Sequence, residues 1–319
     1  MAYDGRNCFS AGSIQVASNA SPPASSSICA VVVAYYPDLG FDGRLREILS
    51  QVGGMVVVDN TPSTGRNRAI LAISDNSQQL YVIENEDNLG VGAALNQGLE
   101  NALQLGFEWV LTLDQDTTCQ RDMVQTLIQA YAGCHPRPAV IGANYFDPAN
   151  NNRTKVPVTS TETFLERKTV ITSGCLVDAV FARAIGGFRE DYFIDQLDHE
   201  FCLRARSRGG LVVISRKPGM MHSVGGPDGA RVPIIGLVLP EHPPLRKYYI
   251  ARNTMVLVSD YFSREPAWCL LRIARLLFGA VSMTLLEKNG LRKLQAFVFG
   301  VADGVRRRMG PCRRKGLYS

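Results

Sequence analysis

WVLTLDQDTT, Trp109 to Thr118, runs a β-prone segment straight into two aspartates one residue apart. Side chains alternate faces along a strand, so Asp114 and Asp116 point the same way from its C-terminal end. Carboxylates so placed can hold Mg²⁺ or Mn²⁺, and such a cation neutralises a diphosphate. The same pair also reads as a solvated turn or a helix cap, so the flanking sequence has to decide.

Working outward, the chain from Ile28 alternates strands and helices. Ile28 to Ala34 (ICAVVVA) is a continuous apolar run, the pattern of a strand buried on both faces of a parallel sheet. A helix from Asp42 to Gln51 and a strand from Met55 to Val58 follow, the latter ending at Asp59-Asn60. Leu80 to Ile83 is a third strand and Trp109 to Leu113 a fourth. Between them Val91, Leu95, Leu99, Ala102 and Leu103 recur at helical spacing, with Gly106 as a stop. This alternation predicts a mostly parallel sheet covered on both sides, with ligands at the strands' C-terminal ends. Tyr35, Asp59, Asn60, Asp114 and Asp116 all fall there. No GxGxxG follows the first strand and no GxxxxGK[ST] occurs there, which sets aside the dinucleotide and P-loop classes. Gly90, Gly92 and Gly98 read equally as helix-to-sheet packing or as ligand contact.

The second half supplies further chemical groups. Val170 to Val177 reads as a strand interrupted at Ser173-Gly174, where a glycine marks close approach of a ligand or of backbone. Phe188 to Arg204 (FREDYFIDQLDHEFCLR) crowds Asp195, Asp198 and Glu200 together. A helix starting near Leu197 puts Asp198 in its first turn, as a cleft carboxylate near the helix's positive end or as a cap. His222 follows the strand Leu211 to Ile214 by a short loop. Alone it reads as structural; beside an aspartate-bound cation it reads as a ligand. Arg252 follows two tyrosines and suits either a bidentate phosphate contact or a surface salt bridge.

A chain of 319 residues with 46% hydrophobic content can bury one large α/β domain and an appendage. We divide it into a disordered Ser/Ala/Asn-rich leader (1–27), an α/β domain (28–240), a C-terminal helical region (241–310) and a basic tail (311–319). The eight cysteines show no metal-binding or paired spacing, which fits a reducing cytosol. The longest uncharged apolar run, Leu276 to Leu286, is 11 residues, short of the roughly 20 needed to span a bilayer. Lys288 to Lys315 carries nine Lys/Arg and one acid, Asp303. With Leu270 to Leu286 it forms basic amphipathic helices that suit an anionic membrane surface, a dimer interface or a cover for the sheet.

Taken in order, AYYPD, VVVDN, NLGVGAALNQGLENA, LTLDQDT, TSGC, GGFREDYFIDQLDHEFCLR and HSVGG resemble the inverting family-2 glycosyltransferases of the GT-A fold. The likeness is narrowest to bacterial rhamnosyltransferases that use dTDP-L-rhamnose, in particular the type that adds the second rhamnose of rhamnolipids. It implies a GT-A α/β fold and a divalent metal, Mg²⁺ or Mn²⁺. It assigns base contact to Asp59 and the same pocket to Tyr35, ribose or sugar contact to Asp114, metal contact to Asp116 and His222, and the general base to Asp198. It further implies an amphiphilic or lipid-linked acceptor such as a mono-rhamnolipid, or an O-antigen or exopolysaccharide intermediate. The place is the inner face of the cytoplasmic membrane, with a homodimer among the options and no nucleic-acid partner. Where many relatives have Glu-Asp this chain has Leu197-Asp198, and Asp195 replaces an upstream tyrosine, leaving Asp195 as a rival base. Chemistry favours transfer over glycoside hydrolysis, which uses two carboxylates and no phosphate site. A nucleotide-sugar-binding protein without activity would be signalled by loss of Asp116, His222 or Asp198, and all three are present.

Overall fold

The computed structural model describes residues 21–65, 79–148, 153–158, 161–222, 230–231, 238–239 and 241–317. The expected leader upstream of residue 21 and most of the 226–240 loop lie outside them. The strands of the main sheet are β1 (Ile28–Ala34), β2 (Gly54–Asp59), β3 (Leu80–Glu84), β4 (Trp109–Asp114), β5 (Thr118–Cys119), β6 (Pro138–Asp147), β7 (Arg153–Thr154), β8 (Phe164–Glu166), β9 (Cys175–Asp178) and β10 (Leu211–Met221). Their order is β3-β2-β1-β4-β9-β6-β10-β5, with β7 on β6 and β8 on β10. β3, β2, β1 and β4 run parallel, β9 lies antiparallel between β4 and β6, and β6 pairs parallel with β10. This is the GT-A architecture expected from the sequence.

Apolar runs without polar alternation become strands here because each feeds two cores. Ile28, Ala30, Val32 and Ala34 face one hydrophobic cluster while Cys29 and Val31 face the other, and Met55/Val57 and Val56/Val58 divide in the same way. Helix α1 (Phe41–Leu49) covers the first cluster through Phe41, Leu45 and Ile48; α2 (Val91–Gln104) covers the second through Ala94, Leu95, Leu99 and Ala102. Gly98 is a packing residue: a Cβ there would lie 2.3 Å from Val31 Cγ1.

Three expectations change. Val170 to Val177 is not one interrupted strand, because β9 begins only at Cys175. Gly174, at φ +73°, turns the chain where a side chain would strike Met220 Sδ at 2.5 Å. β10 does not stop at Ile214 but continues to Met221 through irregularities around Pro218, which carries His222 directly off the strand end. Residues 21–27 are docked rather than disordered: the buried Trp109 indole N–H needs an acceptor and donates to Ser21 O at 2.7 Å, and Ser25–Ser27 form a 3₁₀ turn.

The remaining helices are α3 (Met123–Gly133), α4 (Ala179–Ala184), α5 (Leu197–Ser207), α6 (Pro244–Tyr261), α7 (Pro266–Leu286) and α8 (Gly290–Val305). The 11-residue apolar run extends into α7, 21 residues with mean hydropathy 1.7 in its most apolar stretch, so by length and composition it is a candidate membrane span. Arg272 and Arg275 interrupt it. Leu270, Leu277, Phe278, Val281 and Leu285 on α7 and Leu291, Val298 and Val305 on α8 are exposed.

Gly98→Ala should lower stability by about 1–3 kcal/mol, because overpacking against a sheet residue that cannot retreat outweighs the roughly 1 kcal/mol of helix propensity gained. Urea unfolding checks it; an unchanged or raised midpoint would show that the helix can shift off the sheet at little cost.

Candidate active site

The parallel strands end at one edge, and β4 delivers the acidic pair to it. Asp114, Asp116 and His222 offer ligand atoms that all lie within 4.8 Å of one another. The β9 turn supports them from below. Ser173 Oγ accepts the Asp114 amide at 3.1 Å and lies 2.5 Å from Thr117 Oγ1, which in turn lies 3.3 Å from His222 Nδ1. Occupation of Nδ1 leaves Nε2 as the ring nitrogen available to a ligand. The Tyr145 ring packs edge-on against the imidazole, centroids 5.8 Å apart, and the His222 amide donates to Phe146 O. Asp114 reaches solvent at the cleft mouth, yet protein surrounds its carboxyl on most sides. Desolvation pushes its pKa above the usual carboxylate range, His222 pulls it down, and Asp116 and Asp198 push it further up. Two carboxylates and an imidazole in this space suit a Mg²⁺- or Mn²⁺-like ion, which relieves their mutual repulsion.

Asp59 ends β2 fully buried, its Oδ1 accepting the Thr61 amide at 2.9 Å. Asn60 beside it ties three segments together, donating to Asn88 Oδ1 and Gly90 O and accepting from Asn85 and the Leu89 amide. Tyr35 projects from the end of β1, half exposed, its backbone held at both N–H and C=O by the Gln115 side chain. The residue between the two aspartates therefore locks β4's end to β1's end.

The acidic cluster at 195–200 sorts by partner. Glu200 is buried and paired with Arg204 at 2.9 Å, a packing element. Asp195 is gripped by Arg246 in a forked ion pair at 3.1–3.2 Å. Asp198 accepts the His199 amide through Oδ1, and among the described residues no cation pairs with it. Nor does it cap the helix, since Gln196 holds the N-cap position at φ 65°. Geometry thus separates Asp198 from its rival Asp195.

Phe193, Asp195 and Gln196 all have positive φ, which costs non-glycine residues about 1–3 kcal/mol each and persists only where the surroundings force it. Those surroundings are Arg252 and Asn253. Asn253 Nδ2 donates to the carbonyls of Tyr192, Ile194 and Asp195 at 2.8–3.0 Å, and Arg252 donates to those of Asp191, Tyr192 and Gly310. The phosphate contact expected of Arg252 is therefore overturned: it is fully buried beneath Tyr249, and its nitrogens are spent on backbone carbonyls and Asn253. Among the described residues, Arg246 is a cation that faces the acidic edge, partly exposed and acting electrostatically on Asp114 and Asp116. Its place two residues into a Pro-initiated helix gave no hint of this. Gly90 and Gly92 serve packing rather than ligand contact, since side chains there would strike Phe193 and the Arg189 carbonyl.

A parallel sheet edge bearing an Asp-X-Asp pair, a histidine and a separate unpaired carboxylate fits a glycosyltransferase of the GT-A type. The model of the family described as glycosyl transferase family 2 matches residues 45–195. That match ends three residues before Asp198, so Asp198, His222 and Arg246 are placed by geometry. A dTDP-rhamnosyl transferase of Shigella flexneri, RfbF, is 28% identical over 298 residues, covering 88% of this chain and 96% of the relative. The structure of S. aureus TarS residues 1–349 aligns with a TM-score of 0.50 at 15% identity, over 88% of this chain and 73% of that one, a likeness of fold.

Arg252→Gln should lower stability by about 1–3 kcal/mol, because buried carbonyls lose their donors, while dTDP affinity of the folded variant stays unchanged. Calorimetry beside thermal unfolding separates the two; weakened dTDP binding in a fully stable variant would restore the phosphate role.

Proposed function

We propose that this glycosyltransferase moves L-rhamnose, with inversion, from dTDP-L-rhamnose to a hydroxyl of a lipid-associated acceptor, in the narrowest reading a mono-rhamnolipid. The observation that carries it is the meeting of Asp114, Asp116 and His222 at the strand ends, with Asp198 close enough for its charge to bear on Asp114. The resemblance to a dTDP-rhamnosyl transferase supports the donor.

In this reading Asp59 and Tyr35 take the thymine end and Asp114 the ribose or sugar. Asp116 and His222 hold the divalent cation, which supplies positive charge for the leaving diphosphate. Arg246 adds a second positive charge on the same side. Asp198, on the opposite wall, accepts the proton of the attacking hydroxyl, a contribution of about 10²- to 10⁴-fold. Asp195 stays paired to Arg246 and so poorly suited to that task. The exposed apolar residues of α7 and α8 rest on the membrane surface where such an acceptor is found.

Asp198→Asn should abolish transfer and leave dTDP-L-rhamnose binding intact; normal turnover would reject the base. Metal-dependent binding should be lost in Asp116→Asn and His222→Ala and weakened about tenfold or more in Arg246→Gln, as for loss of one charge-assisted phosphate contact. Calorimetry with dTDP-L-rhamnose, dTDP-glucose and UDP-glucose, each with and without Mn²⁺, decides the donor: tighter binding of a UDP sugar sinks the rhamnosyl assignment. Transfer to a lipid-linked saccharide but not to a mono-rhamnolipid would move the acceptor to the polysaccharide class.

A further inference from the structure

A pocket of about 160 Å³ opens between the start of α5 and the three C-terminal helices. Gln196, two residues before Asp198, forms part of its wall. Ile250, Leu276, Met283 and Phe297 make an apolar lining, and Arg272 and Arg275 sit one helical turn apart at one side. Lys247 also borders it but is neutralised by Glu287 at 2.7 Å. The two arginines differ: among the described residues neither has a carboxylate within ion-pair distance. Arg272 stacks on Trp268, its guanidinium carbon 4.8 Å from the ring centre, and its Nε is buried without a hydrogen-bond partner, as is Gln196 Oε1.

The surrounding charge is unbalanced. Lys155 is acted on by Arg167, Arg272 and Arg275 against Asp147, and Arg272 by Arg275 against Asp198; burial together with Arg272, Lys155 and Arg275 lowers the pKa of His199 to about 4. A partly desolvated guanidinium without a neighbouring carboxylate is costly unless an anion arrives. An apolar wall beside it is the complement of an alkyl chain.

We infer that this pocket is the acceptor subsite and binds an anionic amphiphile, its carboxylate or phosphate on Arg272 and Arg275 and its alkyl chain along Ile250, Leu276, Met283 and Phe297. The inference rests on the transfer reading above for the word acceptor, and on the pocket alone for the ligand. Held there, the amphiphile lies beside the loop that presents Asp198, so its hydroxyl-bearing part meets the base while the donor occupies the strand ends. The exposed apolar face of α7 continues outward from the same helix, a route from a lipid surface to the pocket.

Gly279 offers a clean test, because a Cβ added there meets nothing within 4 Å and a larger residue grows into the pocket without disturbing the helix. Full-length protein without nucleotide is titrated with octanoate, octyl phosphate, octanol and octylammonium while Trp268 fluorescence is followed. The two anions should bind saturably, at least about tenfold tighter than octanol or octylammonium. Gly279→Leu should abolish that binding, Arg275→Gln weaken it about tenfold and Arg275→Lys recover part of it, all with unchanged circular dichroism and dTDP affinity. In transfer assays Gly279→Leu should raise the acceptor KM and leave the donor KM unmoved. Equal affinity for all four probes, or octanoate binding indifferent to Gly279→Leu, overturns the inference. So does capture of anionic phosphatidylglycerol vesicles without octanoate binding, which would give the arginines to a bilayer surface. Failure of dTDP-L-rhamnose to bind in a parallel titration would strike the donor assignment and leave the pocket result standing.

Discussion

The loop that leads into Asp198 depends on a buried polar clamp. Asn253 and Arg252, adjacent on α6, donate to the carbonyls of Asp191, Tyr192, Ile194 and Asp195, and so hold a loop in which three non-glycine residues have positive φ. The strain and the charge-assisted hydrogen bonds are of similar size, about 1–3 kcal/mol each, so the loop keeps its shape only while the clamp is in place. That shape starts α5 at Leu197 and leaves Asp198 uncapped and unpaired. Helix α6 thus shapes the loop that leads to Asp198, although the family match stops before that helix.

Identical residue types take different work from their partners. Within six residues one carboxylate is held by a guanidinium, one is left toward the cleft, and one is buried in an ion pair with Tyr261 donating to it. The arginines divide in the same manner: Arg252 becomes scaffold, Arg246 faces the acidic edge, and Arg272 rests on an indole without an anion. Local spacing placed these groups near one another, but hydrogen-bond geometry set their roles.

The strand ends show the same division of information. ICAVVVA and WVLTLD had to be strands buried on both faces, and Asp59, Asp114 and Asp116 had to lie at their C-terminal ends, because periodicity and the parallel-sheet rule leave few alternatives. The antiparallel β9, which sets Ser173 under Asp114, was not legible because register depends on a partner strand far along the chain. β10 was read too short because Arg216, Lys217 and Pro218 break the apolar pattern while its backbone pairing with β6 continues past them.

By itself the sequence determined the α/β alternation and the strand-end positions of Asp59, Asp114 and Asp116, since these follow from side-chain type and period along a single element; the GT-A class came from the resemblance of its motifs taken in order. Only the tertiary structure decided that Asp198 rather than Asp195 is unpaired, that Arg246 rather than Arg252 faces the acidic edge, and that Arg272 and Arg275 border a pocket beside the loop that leads to Asp198. Those outcomes turn on which atoms from distant segments reach one another first, and a carboxylate or guanidinium takes its function from the partner it finds in the folded chain.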